Sequence, residues 1–379
     1  MKPEKYNPTQ EEIDHAENMM SDEQRRSSEN RAKYHEQEEP PWEDFAEKID
    51  ENFFRKKPSP EIIKTMNERL EELSEAFDGT SLNWHLDGAL NISLMNGAGS
   101  DPEKYIGEHK DVDISIEKSE IEALEAQLLK KGYGLFLSRT HDETKNKIMK
   151  RVRHDDFNES DAEHMLIAAI DDNGKMRRYK ALDFIDVHII RRDEAGKALG
   201  VSGTPIPEKW LHPQIIEFHG RRINISHPGK VLYYKLHQGR NYDFTDVERL
   251  LETGRITEKD IDDIGTVYED EFRANIERGR KIIGSFVAQL QPEMSADEIF
   301  GVMRNQPEFQ KRKDMDDGLR KLAEKIASLE DKNVDSILTI AIDLFEVNQK
   351  NNQKRQELDR MRRKVRDMKE IQRIRRELK

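Results

Sequence analysis

Within His109-Lys110-Asp111-Val112-Asp113-Ile114-Ser115-Ile116, two carboxylates stand two residues apart inside an apolar alternation. Val112, Ile114 and Ile116 take one face of a strand, and Asp111, Asp113 and Ser115 the other. At ~3.3 Å rise per residue the two aspartate Cα atoms lie ~6.6 Å apart, close enough for both carboxylates to hold one metal ion. Like charges so close repel by a few kcal/mol, about what an effective dielectric of ~20 gives at ~4 Å. A cation, a proton or open solvent must relieve them. Asp and Glu make up 77 of 379 residues, so a pair alone is weak evidence and its surroundings decide.

Upstream, Trp84-His85-Leu86-Asp87-Gly88-Ala89-Leu90-Asn91-Ile92 reads as a short strand entering a helix through a glycine, where bare amides could meet a phosphate. Downstream, Leu182-Asp183-Phe184-Ile185-Asp186-Val187-His188-Ile189-Ile190 is a second apolar strand interrupted by acids. Asp186 is favoured over Asp183 for a third acid, since Val187 and Ile189 alternate with it as Val112 and Ile114 do with the first pair.

A glycine turn, Asp-x-Asp on one strand and a single Asp on a later strand resemble the nucleotidyltransferase superfamily of DNA polymerase beta. The order here is similar to its small antibiotic (aminoglycoside and lincosamide) nucleotidyltransferases, with Gly88, the His109 to Asp113 run, and Ile185-Asp186-Val187-His188 as the matching elements. The likeness spans about residues 82 to 250. It departs at the turn, Asp87-Gly88-Ala89, which lacks one of the usual two small residues.

The resemblance implies transfer of a nucleoside monophosphate, AMP from ATP, to a hydroxyl of an unidentified acceptor: a small molecule, an RNA end or a protein. It assigns Asp111, Asp113 and Asp186 to two Mg²⁺ ions, with Asp186 also drawing the hydroxyl proton, and Gly88, Lys235 and Arg240 to the nucleoside triphosphate. A different class of reading stays open: a catalytically silent scaffold of this fold that binds protein or nucleic acid through its termini. A metal-dependent phosphohydrolase is disfavoured, because no further His/Asp cluster has ligand spacing.

The elements that must position these residues read as an α/β (α+β) mixed sheet with flanking helices, then a helical C-terminal part. Ser59-Pro60 starts a helix whose inner face is Ile62, Ile63, Met66, Leu70, Leu73 and Phe77. A helix follows over 89–96, and Asn96-Gly97-Ala98-Gly99-Ser100-Asp101-Pro102 is a loop that, with Lys104 or Lys110, could close over a triphosphate. Ser119-Glu120-Ile121-Glu122 has the form of a capping box. Strands are expected over 133–138, 148–153 and 165–170. Asp171-Asp172-Asn173-Gly174 should turn the last of these back along 176–190, and His219-Gly220 makes a second hairpin. The expected organisation is a disordered acidic segment over 1–50, a catalytic domain over 51–226, a helical domain over 227–350 and a basic, coiled-coil-like terminal helix over 351–379.

Zero cysteines exclude disulfides and thiolate metal sites. No apolar run is long enough for a membrane span and no apolar signal region follows Met1, so a cytoplasmic protein is expected. The net charge is −13, yet residues 354–379 alone carry +7. That tail is expected to project from the bundle, and either RNA or the acidic start of another copy would suit it.

Overall fold

The computed structural model describes residues 41–42, 58–77, 80–105, 112–140, 147–153, 165–171, 185–239, 241–310 and 315–377. The chain divides into two compact units: residues 1–191 with 213–226, and residues 192–212 with 227–379.

The first unit is a mixed sheet with helices. Its elements are β1 (Pro41–Trp42), α1 (Pro60–Phe77), β2 (His85–Leu86), α2 (Gly88–Met95), β3 (Val112–Glu117), α3 (Ile121–Lys130), β4 (Tyr133–Thr140), β5 (Lys147–Val152), β6 (Met165–Ala169) and β7 (Ile185–Arg192). After β8 (Ala198–Leu199), which counts with the second unit, come β9 (Gln214–Phe218) and β10 (Arg221–Ile225). The strand order is β1-β5-β4-β6-β7-β3-β2-β10-β9. β3 and β7 run parallel at its centre, and β6 returns antiparallel onto β7. The turn expected at Asp172 to Gly174 lies outside the described residues.

Apolar alternation builds this centre: Val112, Ile114, Ile116 and Val187 are fully buried. α1 covers the sheet with Met66, Leu70, Leu73 and Phe77, and the Ser59 hydroxyl caps it by accepting from the Ile62 amide at 3.2 Å. The β9–β10 hairpin turns through His219 and Gly220, both at positive φ (50° and 76°), as a two-residue turn between twisted strands requires. The capping box expected at Ser119 does not form. Residues 118–120 make a 3-10 turn, α3 starts at Ile121, and the Glu120 carboxylate instead accepts from the Asn83 amide.

In the second unit α4 (Pro228–Gln238), α5 (Asn241–Glu252), α6 (Glu258–Val287), α7 (Ala296–Arg304), α8 (Pro307–Gln310), α9 (Asp316–Ala327), α10 (Val334–Leu344) and α11 (Val347–Glu377) form a helical assembly. Capping boxes start α6 (Thr257 with Asp260) and α7 (Ser295 with Glu298). Ile283, Phe286, Ile299, Met303, Leu322, Ile326 and Ile337 share one core.

The tail does not project. Leu358, Met361 and Val365 of α11 are buried, and a Cβ added to Gly265 of α6 would meet Leu358 at 3.7 Å. Arg362 pairs with Asp262 at 2.8 Å and Arg366 with Glu258 at 2.6 Å, while Arg355 pairs with Glu269 and Lys364 with Glu248 of α5. The basic run is therefore the complement of acids spaced along α6 and α5. These pairs leave the charges of the helix matched while its apolar seam is buried.

A second ionic cluster sets the acid stability of this unit. Lys209 reaches Asp260 at 3.0 Å and Asp263 at 2.7 Å. Burial disfavours the charged Asp260 carboxylate, but the hydrogen bonds from Thr257 and Lys209 outweigh it and hold its pKa below the ordinary 3.8. A depressed carboxyl pKa stabilises the fold above the unfolded value and is lost as pH falls through the folded one. The Asp260 contribution to the melting temperature is expected to be lost as pH falls below about 3.8, so Asp260→Asn should show a shallower acid limb. Calorimetry across that range checks it; an equally steep limb in the variant would remove Asp260 from the account.

Candidate active site

Three adjacent strands bring the site together. β3 and β7 pair in register with Asp113 opposite Asp186 and Ser115 opposite His188, while His85 of β2 lies opposite Ser115. Side chains two apart share a face, so Asp113, Ser115, Asp186 and His188 emerge on one side of the sheet. Asp87 follows β2 directly, and its amide donates to the Asp113 carbonyl at 2.7 Å, which sets it beside them.

One donor atom each from Asp113, Asp186 and His188 lie within 4.8 Å of one another. Two carboxylate oxygens and an imidazole nitrogen at that spacing can hold a divalent cation. His188 Nδ1 lies 3.8 Å from Asp87 Oδ2, and its Nε2 lies 4.0 Å from Asp113 Oδ1. Burial works against a charged imidazole there. The neighbouring carboxylates of Asp87, Asp113 and Asp186 outweigh it and bring the His188 pKa up to about 9. A bound cation would compete with a proton for that ring.

Gly88 is the first residue of α2 and has φ +67°. A Cβ there would stand 1.9 Å from Asp113 Oδ2, so the helix start and the carboxylate can approach only at glycine. The left-handed backbone alone disfavours any L side chain by about 1–2 kcal/mol. Gly88→Ala is expected to cost about 1–3 kcal/mol of stability, the strained backbone and the displaced carboxylate both contributing. Placing Gly88→Ala in an Asp113→Gly background should recover the steric part and leave the backbone part, a double-mutant cycle readable by denaturant unfolding. Strict additivity would show that the two residues do not meet.

Asp87 occupies the N-cap of α2 but makes no side-chain cap hydrogen bond. An aspartate there ordinarily accepts from the helix amides, worth about 1 kcal/mol. Here its Oδ2 accepts from the Ser115 hydroxyl at 2.5 Å, and both residues are buried.

Of the site residues expected from the sequence, Asp113, Asp186 and Gly88 are brought together. Asp111 lies outside the described residues, as do His109, Lys110, Asp183 and Arg240. Lys235 belongs to α4 of the second unit and is buried, with Asp243 at 3.0 Å and Asp246 at 2.5 Å. A lysine held by two carboxylates reaches a phosphate only by exchanging partners. Lys104 stands in a 3-10 turn, 3.9 Å from Asp101.

The residues that the sequence reading left without a role are Asp87, Ser115 and His188. The strand period was the available signal for two of them. Ser115 is two after Asp113 and His188 two after Asp186, so each shares the acid's face.

No family model matches the chain, and no curated protein does. Among solved structures it is similar to the antibiotic-resistance factor ANT(2'')-Ia, with 11% identity and a TM-score of 0.35 over 57% of this chain and 97% of that one. It is also similar to an antigenic nucleotidyltransferase-like protein from Paracoccidioides brasiliensis, with 14% identity, a TM-score of 0.27, and 52% and 77% of the two chains covered. A putative nucleotidyltransferase from Thermotoga maritima gives 14% identity and a TM-score of 0.28 over 50% of this chain and 94% of that one. The fold is a mixed α/β sheet with flanking helices, followed by a helical part. At such identities and TM-scores these likenesses carry no argument, and the chemistry has to be argued from the residues themselves.

Proposed function

We propose that the chain is a metal-dependent nucleotidyltransferase that moves a nucleoside monophosphate, AMP from ATP, to a hydroxyl of an acceptor. The observation that carries this reading is the in-register pairing of Asp113 with Asp186 across β3 and β7, with His188 completing the three-donor cluster next to Gly88. Two oxygens and a nitrogen fit a divalent cation, and a bound cation would neutralise the triphosphate and polarise its α-phosphorus.

The chain's own residues do the rest. Asp113 and Asp186, with Asp111 as a further proposed ligand, supply the negative charge that retains the cation. The Asp186 carboxylate accepts the proton of the acceptor hydroxyl as its oxygen bonds to the α-phosphorus and pyrophosphate leaves. The glycine at position 88 leaves the amides at the start of α2 open to phosphate oxygens. Lys235 and Arg240 are proposed contacts to the nucleotide. No described helix is long and apolar enough to cross a membrane.

Heat denaturation with ATP and Mg²⁺ or Mn²⁺ tests the binding half. A ligand at 100 times its dissociation constant stabilises by about 2.7 kcal/mol, a shift of several degrees. Wild type should show that shift only with nucleotide and cation together, and Asp113→Asn should lose it. An identical shift in Asp113→Asn would dissociate nucleotide binding from these acids.

A further inference from the structure

Asp87 is a buried carboxylate in the best position in the fold to cap α2, and it does not cap it. Its backbone is fixed by the hydrogen bond its amide donates to the Asp113 carbonyl, and its carboxylate by the bond it accepts from the Ser115 hydroxyl. The oxygen that Ser115 holds is also the one that faces His188 Nδ1. With Nδ1 turned to Asp87, the other ring nitrogen faces Asp113. A histidine that ligates a metal through one nitrogen commonly presents the other to a carboxylate, which fixes ring orientation and raises ligand basicity.

We infer that Asp87 is a positioning residue: held by Ser115, it orients the His188 imidazole so that Nε2 joins the Asp113 and Asp186 carboxylates as a third donor. The site is then one of mixed oxygen and nitrogen donors. Magnesium favours oxygen ligands throughout and keeps its waters, whereas manganese accepts imidazole more readily. The site therefore takes manganese in preference to magnesium, a departure from the two-magnesium expectation drawn from the sequence. This rests on the proposed cation site, which it deepens by assigning the donor set and the group that aims it.

The test uses the full chain and Mn²⁺ as the probe, with affinity measured by titration calorimetry and the donor set by pulsed electron paramagnetic resonance. Wild type should bind Mn²⁺ more tightly than Mg²⁺ and show coupling to one ¹⁴N, and His188→Gln should abolish that coupling. Asp87→Asn should lower Mn²⁺ affinity about 10- to 100-fold, lower Mg²⁺ affinity less, and weaken or remove the coupling. A residue that merely supported the fold would not move the nitrogen signal. If Asp87→Asn fails to fold, Ser115→Ala, which removes the hydroxyl bonded to the Asp87 carboxylate, decides in its place by the same two readouts.

Mn²⁺ bound to wild type without ¹⁴N coupling overturns the inference and leaves the cation site standing. So does a positioning variant, Asp87→Asn or its replacement, with unchanged affinity and coupling. Wild type that binds neither cation overturns the cation site itself, and this inference with it.

Discussion

Asp113→Asn is expected to lower nucleotidyl transfer by roughly 1000-fold, about 4 kcal/mol of barrier, while leaving the fold as stable as before or slightly more so. Asp113 and Asp186 offer oxygens within 4.8 Å of each other, a repulsion of about 3 kcal/mol at an effective dielectric of ~20. The amide removes one of the two charges and keeps the shape. The His188 imidazole beside these acids offsets part of the repulsion when it is protonated, so the gain in stability is smaller than that figure. Single-turnover rates and melting curves on the same preparation check both halves. A melting temperature that drops by many degrees would make Asp113 a structural acid.

Met361→Ala is expected to cost about 2–5 kcal/mol, and deletion of residues 354–379 to remove more than that from the helical unit. The ion pairs along α11 are conspicuous, but exposed pairs contribute about 0.2–1 kcal/mol each and are screened by salt. Leu358, Met361 and Val365, each nearly fully buried, contribute about 1.5–3 kcal/mol apiece. Burial, not charge, therefore holds the tail. Raising salt from about 0.1 M to 1 M, which shortens the Debye length from about 10 to 3 Å, should lower the melting temperature only slightly. Met361→Ala should lower it far more. If salt alone melted the unit and the alanine variant matched wild type, the account of the tail would be reversed.

The strand period made the centre of the sheet legible. Val112, Ile114 and Ile116 were expected inside and are fully buried, and Asp186 was expected to join Asp113 and lies opposite it. Such local alternation is written in consecutive residues. What was not legible depends on partners distant in sequence. Asp87 stands in the sequence only as part of a glycine turn, and the residue that holds its carboxylate, Ser115, lies 28 residues on. The basic tail reads as a projecting helix because its complement, Glu258, Asp262 and Glu269, stands about a hundred residues earlier on α6. Ser119 failed as a cap for a similar reason, since Glu120 is drawn to Asn83, 37 residues before it.

The most direct measurement follows the label. Wild-type protein is incubated with a cell extract, a divalent cation and ATP labelled at either the α- or the γ-phosphorus, and the acid-stable product is counted. Transfer of the α label, with release of unlabelled pyrophosphate from that nucleotide, is the predicted result, and Asp186→Asn should abolish it. Retention of the γ label on the product, or equal α labelling by wild type and Asp186→Asn, would contradict nucleotidyl transfer at these acids.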